Sequence, residues 1–246
     1  MKTIALGVIT IVLMTLTAVL LLPIGVLTLF RARRLYSWVA RALCDAILRL
    51  HGIRVRVHGS QPRTGNADVF PSGQTVYISN HTSTLDLFIL VALGLPNCRF
   101  FLSGFLRTWI PLGIIAWMMG TFFTVPQSRR EERRRIFKRA GEVLRRTGES
   151  VYLSPEGGRI TTGDLGHFNK GAFHLATVLR APIVPMYLHI PPAINPGRGY
   201  RGRSGTVDVY VLPAIHTTDW KEAELIQNKE RVRAVLLRTH EELRCA

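Results

Sequence analysis

His81 and Asp86 stand in the run Ser79-Asn80-His81-Thr82-Ser83-Thr84-Leu85-Asp86. The apolar residues Thr75-Val76-Tyr77-Ile78 before them read as a buried strand, and Leu85-Asp86-Leu87-Phe88-Ile89-Leu90 after them as the start of a helix. A histidine at a strand's exit, with a carboxylate one helical turn onward, suits an oriented general base. The carboxylate holds one ring nitrogen and fixes the tautomer, and the other nitrogen takes a proton from an alcohol. No serine or cysteine nucleophile signature accompanies the pair, which points to direct attack by a substrate hydroxyl. Ser83-x-x-Asp86 also fits a helix-capping box, in which Asp86 would serve only the first turn.

Two further stretches carry chemistry. Ser154-Pro155-Glu156-Gly157-Gly158-Arg159 comes directly after the apolar Val151–Leu153. Glu156, the flexible amides at Gly157 and the guanidinium of Arg159 bring an acceptor, donors and a charge to one turn, a combination that holds a phosphate. The bland reading is a glycine turn that serves geometry alone. In Phe168-Asn169-Lys170-Gly171-Ala172-Phe173, Lys170 opens a helix, where a cation opposes the helix dipole unless an anion sits there. His167 and His174 flank this lysine and are read as non-catalytic.

Asn80-His81-x4-Asp86 resembles the first motif of the glycerolipid acyltransferase family, whose members include 1-acylglycerol-3-phosphate acyltransferases. Ser154–Arg159 is similar to the family's third motif, and Gly163, Leu165, Phe168, Lys170, Gly171, Ala172 and Phe173 match the residues usual after that motif. Ile183-Val184-Pro185 resembles the fourth. The resemblance spans roughly residues 75 to 188, with the motifs in order. It implies that His81 deprotonates a lysolipid hydroxyl and that Asp86 orients and charge-stabilises the imidazole. It further implies that Asn80, Glu156, Gly157, Arg159 and Lys170 contact the acceptor and its glycerol phosphate. The donor would be an acyl thioester, on coenzyme A or an acylated carrier protein, with no metal and no cofactor. One departure stands out: Gly120-Thr121-Phe122-Phe123-Thr124-Val125 leads to Pro126, where the family's second motif has an arginine. Arg129 or Arg130 is the expected substitute, and the departure leaves room for another acceptor, such as a lyso-ornithine lipid.

The elements that must position these residues alternate. Strands are expected at Ile53–Val57, Thr75–Ser79, Arg99–Leu102, Thr121–Val125, Val151–Leu153, Ile183–Leu188 and Val207–Leu212. Helices are expected at Leu85–Leu93, Glu131–Arg146, Gly171–Leu179 and Trp220–Leu243. This pattern predicts an α/β fold with a mixed, mostly covered β-sheet flanked by helices, glycerol-3-phosphate acyltransferase-like in terms of the resemblance. The apolar stretch Trp109–Met119 is expected as core, or as one wall of an acyl-chain tunnel. Gln61–Gly73 and Asn195–Gly205 read as polar loops.

The N-terminus differs from the rest. Ile4–Phe30 holds no charge, and about 27 residues at ~1.5 Å each exceed the ~30 Å of a bilayer's hydrocarbon. Pro23 and Gly25 interrupt it, so a kinked or re-entrant helix competes with a straight span. Arg34–Leu50 reads as an amphipathic helix, the second arm of a membrane hairpin or a helix packed on the domain. The expected division is therefore 1–52 for membrane-anchoring helices and 53–246 for the acyltransferase domain. Arg31, Arg33 and Arg34 place that domain on the cytoplasmic side of the inner membrane by the positive-inside rule. Cys44, Cys98 and Cys245 show neither metal spacing nor a disulfide framework. A net charge of +16, from 32 Lys and Arg against 16 Asp and Glu, attracts nucleic acid or an anionic membrane surface. Without nucleic-acid-binding motifs and with an apolar N-terminus, the membrane is the expected partner and nucleic acid is not. A basic, membrane-tethered binding protein is the reading from another class, and it leaves His81, Asp86 and Glu156 unexplained.

Overall fold

A computed structural model describes residues 2–59, 69–195, 197 and 203–245. The loops expected over Gln61–Gly73 and Asn195–Gly205 lie largely outside these residues. Helices α1 (Lys2–Leu27) and α2 (Arg33–Leu50) form an antiparallel pair, joined near one end by Thr10 Oγ1 and His51 Nε2 at 2.9 Å and near the other by Thr28 and Tyr36. There follow β1 (Ile53–Gly59), β2 (Val76–Ser79), α3 (Leu85–Leu93), β3 (Cys98–Ser103), α4 (Ile110–Met118), β4 (Phe122–Thr124) and α5 (Arg130–Thr147). The chain closes with β5 (Ser150–Tyr152), α6 (Gly171–Leu179), β6 (Ile183–His189), β7 (Gly205–Val211) and α7 (Leu225–Cys245).

The strands form one sheet in the order β1-β7-β6-β2-β5-β3-β4. Every neighbouring pair is parallel except β6 and β7. The sheet is thus mixed, as expected, and all seven predicted strands are present with ends shifted by a residue or two. Central strands are buried on both faces and read as apolar runs for that reason. Val76, Ile78, Val151 and Ile183 face a core shared with α5, α6 and α7. Tyr77, Phe100, Tyr152, Val184 and Met186 face the other, shared with α1 to α4. Because Ala18, Leu21, Tyr36 and Leu48 belong to that second core, the N-terminal hairpin packs as one body with the sheet.

Two elements differ from expectation. Residues 110–118 form helix α4, which buries Gly113, Ile115, Ala116 and Met118. Apolar residues on all its sides leave no periodicity to read. The last helix begins at Leu225 rather than Trp220, after a turn in which Trp220 N donates to Thr217 O at 3.1 Å.

The hairpin is also tied down electrostatically. Buried Glu149, between α5 and β5, receives Arg99 Nε at 2.6 Å and the guanidinium of Arg33 from the start of α2. Arg99 also donates to Gly120 O at 3.3 Å. Burial, with the neighbouring charges of Arg33 and Arg146, pulls the Arg99 guanidinium down to about 10. Replacing Glu149 by Ala leaves two half-buried cations facing each other. The expected loss is about 3–5 kcal/mol of stability, read as a fall in the denaturation midpoint of the detergent-solubilised protein.

Candidate active site

Parallel strands β2, β5, β3 and β6 end on the same side of the sheet, and the chain leaving β2 carries His81. Asn80, the first residue past the strand, is buried. Its Nδ2 donates to Leu188 O at 3.0 Å and its Oδ1 accepts from Leu188 N at 2.8 Å. Ser79 Oγ meets the Tyr152 hydroxyl at 2.9 Å, so the strand's exit is braced from both neighbours before the histidine is reached.

Asp86 sits in the first turn of α3 with 1% of its surface exposed. One oxygen, Oδ2, accepts from His81 Nδ1 at 2.6 Å, Thr82 N at 2.8 Å and Ser83 N at 3.0 Å. Ser83 Oγ accepts from Leu85 N at 3.0 Å. The capping contact and the His81–Asp86 pairing are therefore both present, built on one carboxylate. A carboxylate only accepts, so Nδ1 carries the ring proton and Nε2 keeps its lone pair. The His81 side chain is 34% exposed, which leaves that nitrogen open to a substrate. Asp86 Oδ1 is buried without a hydrogen-bond partner among the described residues.

Glu156 grips the same segment from the β5 side. Its Oε2 accepts from His81 N at 2.5 Å and its Oε1 from Gly166 N at 2.7 Å. Burial pushes its carboxyl above the usual range, and the two backbone amides partly offset that. Ile160 N donates to His81 O at 2.8 Å, which brings Arg159 alongside the histidine in the chain. Gly157 has φ +68°, and a Cβ there would stand 2.7 Å from Asn169 Nδ2 and 3.0 Å from Gln127 Nε2, so a side chain would be strained and would displace Asn169. Asn169 Nδ2 donates to Pro155 O and Glu156 O, each at 3.0 Å, tying Lys170 and the start of α6 to the same turn. The geometry offers a rigid base at the strand ends with two exposed cations, Arg159 and Lys170, on the segments locked to it.

Residues 54–189 match the family model described as Acyltransferase. The chain belongs to this acyltransferase family. It is 29% identical over 206 residues to 1-acyl-sn-glycerol-3-phosphate acyltransferase alpha of Ovis aries, covering 83% of this chain and 69% of that one. It is 29% identical over 221 residues to the 1-acyl-sn-glycerol-3-phosphate acyltransferase of Saccharomyces cerevisiae, covering 88% and 70%. Among solved structures, the 1-acyl-sn-glycerophosphate acyltransferase of Thermotoga maritima shares the fold, with TM-score 0.72, 18% sequence identity and full coverage of both chains.

Within this acyltransferase several expected site residues have other duties. Asn80, expected among the substrate contacts, is a strut between β2 and β6 and has almost no exposed surface. Glu156, expected to position the acceptor's phosphate, is buried and holds His81 N and Gly166 N with its two oxygens. Arg129 is exposed and pairs with Glu132 at 3.2 Å on the first turn of α5, and Arg130 is exposed beside it. Asn169, Gln127 and Ile160 carry no charge, and their types alone do not mark them in the sequence. Asn169 adjoins Lys170, and that adjacency is the one available signal. Arg133 is equally unmarked within its run of arginines: half-buried, it donates to Val125 O at 2.9 Å and lies over the Phe137 ring.

Two variants separate these roles. Asp86→Asn can place its amide oxygen where Oδ2 lies and keep all three hydrogen bonds, losing the charge that stabilises the imidazolium. Its kcat is expected to fall about 10²-fold or more, while its stability falls by about 1–3 kcal/mol for the amide nitrogen buried in place of Oδ1. Glu156→Gln turns an NH2 toward one of two backbone amides, so kcat should drop with KM nearly unchanged. The native carboxyl, raised by burial, takes up its proton at a higher pH than an exposed glutamate does. The activity that needs both acceptors is therefore lost as pH falls through that raised value. A pH–rate profile of Glu156→Gln should lack this component of the acid limb.

Proposed function

We propose that this acyltransferase moves a fatty acyl group from an acyl thioester, on coenzyme A or an acylated carrier protein, to the free hydroxyl of lysophosphatidic acid, forming phosphatidic acid. The observation that carries the reading is the His81–Asp86 pair, with Nε2 open to a substrate and Arg159 and Lys170 exposed on the segments bound to it. The relatives named for acylation of 1-acyl-sn-glycerol-3-phosphate supply the acceptor class. His81 Nε2 takes the hydroxyl proton as the oxygen attacks the thioester carbonyl carbon. Asp86 stabilises the imidazolium that forms. Collapse of the tetrahedral adduct breaks the carbon–sulfur bond, and the imidazolium returns the proton to the departing thiolate. Arg159 and Lys170 hold the acceptor phosphate, which supplies orientation.

A cavity of about 30 Å³ lined by Met14, Cys44, Leu87, Phe100, Leu112 and Met119 lies between β3 and helices α1 to α4. It is room for roughly one water. It is a seam in the core.

The reading includes a membrane site of action. Helix α1 is long and apolar enough to cross a bilayer, and only 17% of its most apolar window is buried in the protein. Its contacts with α2 run from Thr10–His51 to Thr28–Tyr36, so the two helices move together. An upright α1 would carry the exposed Arg41 and other charges of α2 into hydrocarbon, at about 2.5–3.5 kcal/mol or more for each at the centre. The hairpin is better satisfied lying in one leaflet, with α2's arginines at the headgroups of the cytoplasmic face.

A second acceptor reading, a lyso-ornithine lipid, rests on Pro126, which stands where the family's second motif has its arginine. An acceptor-by-donor screen with mass spectrometry of the lipid product decides between them. Phosphatidic acid formed from lysophosphatidic acid, and reduced at least ~10²-fold by His81→Ala, is the expected result. Normal turnover by that variant rules out the general base, and turnover of lyso-ornithine lipid alone rules out the phosphate acceptor.

A further inference from the structure

We propose that residues 104–117, within the acyltransferase domain, form a second membrane-contact patch, occupied by a phospholipid bilayer and continuous with the N-terminal hairpin. The proposal rests on the membrane reading above and adds a surface to it. Residues 104–108 form a 3-10 helix directly after β3, and α4 comes next. Phe105 and Ile110 are 66% and 70% exposed, and Trp109 and Trp117 are also exposed. Ile110 and Trp117 are seven residues apart on α4 and therefore share a face. Outside α1, α2 and the turn between them, Ile226 is the one other large apolar side chain so exposed among the described residues. Exposure of this kind is concentrated, where scattered single residues would mean nothing.

The occupant is identified by the surfaces that adjoin the patch. Trp117 packs edge-on against Phe30, with ring centroids 5.1 Å apart, and Phe30 ends the apolar row of Val26, Leu27 and Leu29 on the hairpin. The patch thus extends a lipid-facing surface instead of standing alone. Its composition is also interfacial: two tryptophans, a phenylalanine and the exposed Arg107, whose guanidinium lies 5.4 Å from the Phe123 ring. Its position gives the contact a purpose. Strand pairing sets Val76 level with Val151 and Arg99, so carrying the register forward brings His81 level with Gly104. Two strand spacings separate β2 from β3, about 10 Å. Insertion of Phe105, Trp109 and Ile110 would hold the histidine at headgroup depth, where a membrane-resident lysolipid presents its hydroxyl.

The test uses the full-length protein and vesicles of phosphatidylcholine and phosphatidylglycerol, with or without lipid brominated along its acyl chains. A chain carrying Trp38→Phe, Trp117→Phe and Trp220→Phe reports from Trp109 alone. Bromolipid is expected to quench it strongly, and Phe105→Ser with Ile110→Ser should abolish that quenching. The same double variant, in the otherwise native chain, should lose about tenfold or more in activity on vesicle-embedded lysophosphatidic acid. Its activity on a short-chain, water-soluble lysophosphatidic acid should be unchanged. Quenching no stronger than that of a chain retaining only Trp220 overturns the patch, as does concentration-dependent dimerisation that the double variant removes while vesicles quench nothing. Quenching without acylation of any lysolipid supports the patch and sinks only the proposed acceptor.

Discussion

One oxygen of one buried carboxylate organises this site. Asp86 Oδ2 accepts from the His81 ring, from Thr82 N and from Ser83 N, so the start of α3, the loop after β2 and the imidazole share a single anchor. The arrangement costs desolvation of a charge. Three donors on one atom repay part of that, and they fix the ring's tautomer at the same time. A cap and a catalytic orienter are usually weighed as rival explanations of such an aspartate. Here both would use the same oxygen, because the helix begins beside His81.

That anchor would be useless on a mobile backbone, and the remaining polar contacts remove the mobility. Glu156 holds His81 N, Ile160 holds His81 O, and Asn80 locks the preceding residue to Leu188. These partners come from the ends of β5 and β6, the two strands that flank β2. A mixed sheet whose central parallel strands finish together is therefore a requirement of the site and not only its scaffold. The antiparallel β7 beside β6, and β1 beyond it, widen the sheet without contributing to the base.

Much of this was legible in the residues, for identifiable reasons. Central strands are apolar runs and β1 and β7 alternate, so all seven showed, and α5 showed through its apolar stripe. Helix α4 did not, because a helix apolar on every side has no stripe. Strand order and the one antiparallel pairing arise from contacts far apart in sequence and leave no local mark. His81 and Asp86 were legible because their chemistry depends on spacing within one turn. Asn80 and Glu156 were found as residues, but their bonds to the backbone were not read. Residue type reports what a side chain can bond, whereas the fold decides what it does bond: both Glu156 oxygens and both Asn80 groups hold backbone.

The two faces of the sheet divide the molecule chemically. One is covered by α1 to α4, with apolar surface exposed on α1, α2, Trp117 and the β3 exit. The other is covered by α5 to α7, and α5 turns a row of arginines outward. His81 stands at the strand ends, where these surfaces meet. A lysolipid has the same division within it: a hydrocarbon chain, a hydroxyl one or two bonds from the ester-bearing carbon, and an anionic head. A base placed on the boundary between an apolar and a cationic surface meets such a molecule at its hydroxyl. A base within either surface would meet only chain or only phosphate. At the opposite ends of these strands, where β3 and β5 begin, the Arg33–Glu149–Arg99 cluster joins the start of the amphipathic α2 to the sheet.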